Sequence, residues 1–274
     1  MGYLTGTNQS LGGQVFIITG SSRGIGRELA RQVLNAGGRV VLNARTPETL
    51  KSTHDELASE FDGGSIRAFA GDVSQPEQAR GLIDHTVAEF GRIDVLINNA
   101  AVGHHGNIGN GDPAVFSKVV DVNIHGVLFP TWYAIPHISE QQGRVLIVSS
   151  LAGLHGLPSH SAYSLSKMAL TAFAESLRAE LHGTEMSVGI AYVGFTENEP
   201  AKRRYGPDGQ LEEVPLRKRA MVTTREKTAR RILRQIRRRK FKAIHSKLGL
   251  LVYNLNRISP GLVDFVLARA GNMR

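Results

Sequence analysis

Tyr163 and Lys167 stand four residues apart in the run SAYSLSK, and Ser150 lies thirteen positions before the tyrosine in VLIVSSLAG. On a helix, residues i and i+4 share a face, so this spacing predicts the ammonium of Lys167 beside the phenol of Tyr163. A phenol ordinarily titrates near pH ~10. A fixed cation next to it favours the phenolate and brings the group toward neutrality, where it serves as a general acid or base. A Tyr-x-x-x-Lys pair alone recurs by chance in many chains. Its weight depends on the elements that position it.

The first such element is the run VFIITGSSRGIG at 15–26. Its apolar start suits a buried parallel strand, and its glycine turn leads straight into the helical pattern GRELARQVLNAGG. Gly20, Gly24 and Gly26 are spaced for a tight turn, close backbone approach and close helix–strand packing. The helix N-terminus then offers free N–H groups to a diphosphate. The spacing Gly-x-x-x-Gly-x-Gly differs from the common Gly-x-Gly-x-x-Gly fingerprint, and no Gly-Lys-Ser/Thr follows, so a triphosphate loop is excluded.

TGSSRGIG, NNA at 98–100, Asn123 in DVNIHG, Ser150 and YSLSK at 163–167 follow one another in an order that resembles the short-chain dehydrogenase/reductase family, over about residues 12–200. The resemblance is to its NADP-preferring, hydroxysteroid- and retinoid-type branch. It implies that Tyr163 gives a proton in reduction and takes one in oxidation. Lys167 would lower the tyrosine's pKa and bind the nicotinamide ribose. Ser150 would hydrogen-bond the substrate oxygen where charge develops, with Ser149 a structural neighbour. Asn123 would hold a water linking Lys167 to solvent. The hydride comes from the cofactor, leaving orientation and electrostatics to the protein.

On the cofactor side, the resemblance assigns Gly20, Ser22, Arg23, Gly24, Ile25 and Gly26 to the phosphate turn. It assigns Asp72 and Val73 to the adenine, and Asn98 and Ala100 to the wall beside strand four. Strand two ends in NARTPETL, with Ala44 and then Arg45 where NAD-preferring enzymes place an acid. An acid would repel a 2′-phosphate, whereas a guanidinium grips one bidentately. Arg23 supplies a second cation, so NADP(H) is the expected cofactor. After strand six, AYVGFTENEP contributes Val193 and Thr196 to the cofactor side. Here the pattern departs from the family, with Val193 replacing a proline and Asn198 standing where a threonine would face the nicotinamide carboxamide.

The 274 residues are 41% hydrophobic, enough for one sizeable core and a single domain over 1–274. Strands are predicted near 15–19, 40–43, 67–70, 94–97, 144–148, 188–192 and 241–245, with helices between them, notably 112–138 and 162–182. That alternation predicts an α/β Rossmann-type, doubly wound parallel sheet in the order 3-2-1-4-5-6, with a seventh strand beside it. The chain has no cysteine, which removes disulfide and thiol chemistry and fits a cytoplasmic setting. No apolar stretch approaches the ~20 residues that span a bilayer. The opening MGYLTGTNQS lacks the pattern of a secretory leader, and Gly6 argues against myristoylation. His104 and His105 have no further ligands at metal spacing and read as a polar substrate-side loop; no metal is expected.

The formal charge of +9 is local. Residues 217–242 hold thirteen Lys or Arg and one acid, Glu226, a net of +12 that leaves −3 for the rest. Ala229, Ile232, Leu233 and Ile236 repeat at helical spacing within this stretch, which predicts a surface helix packed on the sheet. No aromatics interleave it and no recognition motif accompanies it, so nucleic acid is not an expected partner. Beyond it, LGLLVYNLNRISPGLVDFVLARAG predicts two amphipathic helices broken at Pro260, to cover the pocket, contact another subunit or lie on a membrane surface. Residues 199–220, with Gly-Pro-Asp-Gly, read as a mobile substrate lid. The resemblance implies a homodimer or homotetramer acting on a carbonyl/alcohol pair, with a bulky apolar substrate favoured. A 3-oxoacyl-thioester reductase and a non-catalytic NADP(H)-sensing protein are the alternative readings.

Overall fold

A computed structural model describes residues 10–199, 202–215 and 222–271. The N-terminal nine residues, residues 200–201 and 216–220 of the expected lid, and Arg217, Lys218 and Arg219 of the basic stretch lie outside the described residues.

Seven parallel strands form one sheet: β1 (Val15–Ile18), β2 (Arg39–Ala44), β3 (Ile66–Ala70), β4 (Val95–Asn98), β5 (Arg144–Ser150), β6 (Ser187–Val193) and, last in the chain, β9 (Lys242–Ile244). Their order across the sheet is β3-β2-β1-β4-β5-β6-β9, as the alternating pattern predicts. Helices α1 (Gly24–Asn35), α2 (Pro47–Glu60), α3 (Pro76–Phe90), α4 (Pro113–Glu140), α5 (Ser161–Glu180) and α6 (Arg225–Arg237) fill the crossovers.

Parallel strands covered on both faces must be apolar on both faces, and VFII of β1 is fully buried. Alternation divides these side chains between two cores. Phe16 and Ile18 join Leu29, Val33, Leu57, Ile232 and Leu233 under α1, α2 and α6. Ile17 joins Leu82, Val127, Ile147, Leu170 and Ile190 under α3, α4 and α5. The basic helix α6 therefore packs as its apolar stripe predicts, with Ala229, Ile232, Leu233 and Ile236 buried against the sheet and α1. Thr224 caps it by accepting from Lys227 N.

Two features lie outside this sheet and its crossovers. Within the segment expected as a lid, residues 203–213 fold as an antiparallel hairpin of β7 (Arg203–Tyr205) and β8 (Leu211–Glu213), turned at Gly206–Gly209 with Gly209 at φ +80°. The C-terminal helices α7 (Lys247–Ile258) and α8 (Pro260–Gly271) break at Pro260 as expected. They seat beside the end of β5: a Cβ at Gly249 would collide with Leu151, immediately after Ser150. His155 pins both helices, with its ring nitrogens 3.1 Å from Asn256 Oδ1 and 3.0 Å from Asp264 Oδ1.

Candidate active site

The C-terminal ends of β1, β4, β5 and β6 meet the N-termini of α1 and α5 along one edge of the sheet, the edge where open α/β sheets bind ligands. Ser150 ends β5 and is half-buried; its hydroxyl caps the following turn, accepting from Ala152 N at 3.3 Å. Ser149, one residue earlier, points the other way and donates to the Lys167 carbonyl at 3.3 Å. It packs so closely under Gly153 that a Cβ there would lie 2.5 Å from its hydroxyl. The Ser149 hydroxyl is thus engaged within the protein, against the start of α5.

Tyr163 and Lys167 lie one turn apart near the start of α5. The Lys167 ammonium lies 5.8 Å from the tyrosine ring centroid and donates to the Val148 carbonyl at 3.1 Å. That bond sets the cation against β5, two residues from Ser150. Lys167 is 2% exposed, and burial brings it down to about pKa 8. At neutral pH it still carries its charge.

Asn123, fully buried in α4, makes its amide bonds within the protein. Oδ1 accepts from Val102 N at 2.8 Å, while Nδ2 donates to Val102 O and to Ser166 Oγ, both at 3.0 Å. Ser166 in turn donates to Tyr163 O at 2.8 Å. The amide thus ties the chain after β4 to the turn of α5 that carries the tyrosine and lysine. Ser166 was missed in the sequence, although it lies within YSLSK.

On the cofactor side, a Cβ at Gly26 would collide with Gly20 O and lie 2.7 Å from Asn99 Nδ2. Gly20 sits at φ +64° with Ala100 Cα 2.8 Å from where its Cβ would be. Gly24, at φ +61°, has open space in front of it. The turn is held by residues that the motif reading passed over. Thr19 Oγ1 accepts from Asn99 N and Ala100 N at 3.0 Å, and Asn99 Nδ2 donates to the carbonyls of Thr19 and Gly20. Ser21 Oγ accepts from Asn43 N at 2.9 Å, and Ser22 O accepts from Thr53 at 2.8 Å. Ile25 packs into the core beneath.

Arg23 is exposed, and Arg45 is 46% exposed with its guanidinium 3.7 Å from Asp72. Asp72 also accepts from the backbone and hydroxyl of Ser74, and Val73 is buried. Asn98 is turned under the site, donating to Thr131 Oγ1 at 2.8 Å, with Ala100 half-buried beside it. Val193 ends β6 against the core; Thr196 lies 3.2 Å from Thr228 Oγ1, and Asn198 follows in the same half-buried run. A glycine turn with a backbone cradle at the start of α1 fits a nicotinamide dinucleotide.

The loop after β4, expected on the substrate side, meets the β7–β8 hairpin. His104 pairs with Tyr205 of the hairpin, and His105 N donates to Tyr205 O at 2.9 Å. The His105 ring meets the edge of His160, just before α5, at 5.1 Å. Burial, aided by neighbouring cations, lowers the pKa of both His104 and His105. Among the described residues no cluster of His, Cys, Asp and Glu could hold a metal.

Comparison with known proteins gives the family. Residues 14–206 match the short chain dehydrogenase family. The chain belongs to that family of oxidoreductases. It is 33% identical over 198 residues to an 11-beta-hydroxysteroid dehydrogenase of Pinus massoniana, a match covering 72% of this chain and 55% of that protein. It is 29% identical over 272 residues to 11-beta-hydroxysteroid dehydrogenase-like 2 of Arabidopsis thaliana, covering 94% and 82%. The chain thus spans only a little over half of the pine relative. A short chain dehydrogenase/reductase from Burkholderia phymatum, solved with NAD, superposes with a TM-score of 0.80 at 24% identity, covering 93% of this chain and 96% of that one. An alcohol dehydrogenase from Thermococcus sibiricus, solved with 5-hydroxy-NADP, gives 0.73 at 20%, covering 84% and 95%.

Proposed function

We propose that the protein is an NADP(H)-preferring oxidoreductase that interconverts a ketone or aldehyde and an alcohol, with a bulky apolar substrate. The observation that carries the chemistry is the Lys167 ammonium held between the Tyr163 ring and the end of β5 beside Ser150. Gly20, Ser22, Arg23, Gly24, Ile25 and Gly26 hold the cofactor phosphates, with Asp72, Val73, Asn98, Ala100, Val193 and Thr196 along its length. Arg23 and Arg45 grip the 2′-phosphate. When bound, the nicotinamide supplies or accepts the hydride. Ser150 orients the substrate oxygen, Tyr163 gives it a proton in reduction, and Lys167 stabilises the resulting phenolate. Asn123 keeps the tyrosine-bearing turn in place and belongs to the proton path from Lys167 to solvent.

The apolar substrate reading is favoured by the C-terminal helices. A groove of about 520 Å³ between α5 and α8 is lined by apolar Leu157, Leu165, Met168 and Leu267 and by polar His155 and Asp264. The outer faces of α7 and α8 leave Leu250, Leu251, Ile258, Phe265 and Val266 exposed, beside Lys247, Arg257 and Arg269. This combination suits reversible contact with an anionic lipid surface from a cytoplasmic setting. Exposed Trp132 on α4 suits a contact in a homodimer or homotetramer.

The test is oxidation of NADPH and of NADH over a panel of steroids, aromatic ketones, aliphatic aldehydes and acetoacetyl thioesters. NADPH-dependent turnover of bulky ketones is expected. Activity confined to the thioesters would make the enzyme a 3-oxoacyl reductase. Tight NADPH binding without any turnover would make it a cofactor sensor.

A further inference from the structure

Helix α1 begins at Gly24 with no side-chain cap from Arg23 and no acid in its first turn. The Gly24 N–H is taken instead by a carboxylate from the far side of the sequence, donating to Glu199 Oε1 at 2.9 Å. The same oxygen accepts from an Arg27 Nη at 2.8 Å and an Arg225 Nη at 2.6 Å. The Glu199 side chain is only 14% exposed. One backbone N–H at a helix start together with two guanidiniums is a donor set suited to a phosphate oxygen. Glu197 fixes Arg225 from the other side, accepting from its backbone N and its Nε at 3.1 Å. Both arginines are thus aimed at a single point in front of the glycine turn.

We infer that Glu199 is an internal competitor for the cofactor diphosphate, holding the phosphate donors of the turn until the nucleotide displaces it. The inference rests on the glycine turn being the diphosphate site. It deepens that reading in two ways. Cofactor affinity includes the cost of breaking three charge-assisted hydrogen bonds, so Glu199 sets it lower than the turn alone would give. Glu199 also lies three residues before Lys202, the residue next to β7, and Lys202 N donates back to Glu199 O at 3.0 Å. Displacing the carboxylate unties the start of the lid from α1, so the arrival of a phosphate at one end of the site loosens the cover at the other.

The experiment compares Glu199→Gln with wild type by calorimetric titration of NADP⁺ and of 2′-AMP, which has the 2′-phosphate but no bridging diphosphate. Glutamine keeps the size and removes the charge. NADP⁺ should bind about tenfold tighter to the variant, as expected for losing one charge-assisted competitor. Binding of 2′-AMP should not change. Hydrogen exchange over residues 202–215 gives a second readout. It should quicken in wild type when NADP⁺ is added, and be quick in Glu199→Gln beforehand. Unchanged or weaker NADP⁺ binding by a folded variant overturns the inference alone. So does equal tightening of both nucleotides, or wild-type exchange that does not quicken with NADP⁺, which needs no variant to fold. Failure of NADP⁺ to bind either protein overturns the reading of the glycine turn, and this inference with it.

Discussion

Lys167 is 2% exposed, and burial lowers its ammonium to about pKa 8, with the Val148 carbonyl as a partial replacement for water. In the unfolded chain a lysine titrates near ~10.4. Below pH 8 both states are protonated, and the fold carries the cost of a buried cation, of order 3 kcal/mol by the size of the shift. Between the two values the unfolded chain binds more protons, so this group makes stability rise with pH; above them the cost is gone. Urea unfolding at about pH 7 and about pH 10 should therefore show Lys167→Met more stable than wild type at the lower pH, with the gap closing at the higher. A gap that stays constant would mean that Lys167 is not strained by burial. In the proposed mechanism that cost has a use, since a fixed charge beside Tyr163 favours the phenolate.

The element that receives the cofactor depends on backbone contact more than on side chains. At Gly26 an added methyl would meet Gly20 O and Asn99, backbone and a fixed amide that cannot give way, whereas at Gly24 it would meet only open space. Gly26→Ala should cost about 1–3 kcal/mol of stability and abolish cofactor binding. Gly24→Ala should cost about 1 kcal/mol, from its left-handed φ, and weaken binding less. Thermal melts with nucleotide titrations rank the two, and equal effects would contradict the packing argument. The glycines, the seven parallel strands and the Tyr163–Lys167 turn were legible because each rests on local spacing: apolar runs, turn residues and an i,i+4 pair. Asn99, Ser166 and Glu199 were not, because each acts on a partner distant in sequence. Asn99 reaches Thr19 and Gly20, Ser166 meets Asn123, and Glu199 meets Gly24. The hairpin β7–β8 escaped for a related reason. Three-residue strands show too little alternation to be seen, and β7 is tied by backbone bonds at Tyr205 to Gly103 and His105, about a hundred residues away in sequence.

Across the whole molecule, charge and apolar surface are unevenly placed. The arginines of α6 ring a helix whose apolar stripe is buried, while α7 and α8 keep much of theirs outside. None of the described helices is long and apolar enough to cross a membrane. If the outer face of α7 and α8 meets lipid, the protein should float with vesicles containing phosphatidylserine and stay behind with neutral ones, and Leu251→Glu with Phe265→Glu should abolish flotation without loss of turnover. Equal flotation with both vesicle types would remove the electrostatic part of that reading. The same two helices, pinned by His155 beside Ser150, make the C-terminal extension part of the site's surroundings. The central claim is that this surround serves proton transfer by Tyr163 to a substrate carbonyl. The most direct measurement is turnover of the best ketone by Tyr163→Phe, alongside its NADPH dissociation constant. Turnover should fall by about 10²–10⁴-fold, the usual contribution of a positioned acid, while NADPH binding holds within about twofold, since one hydroxyl is removed and the ring is kept. Turnover that survives the change would contradict the account.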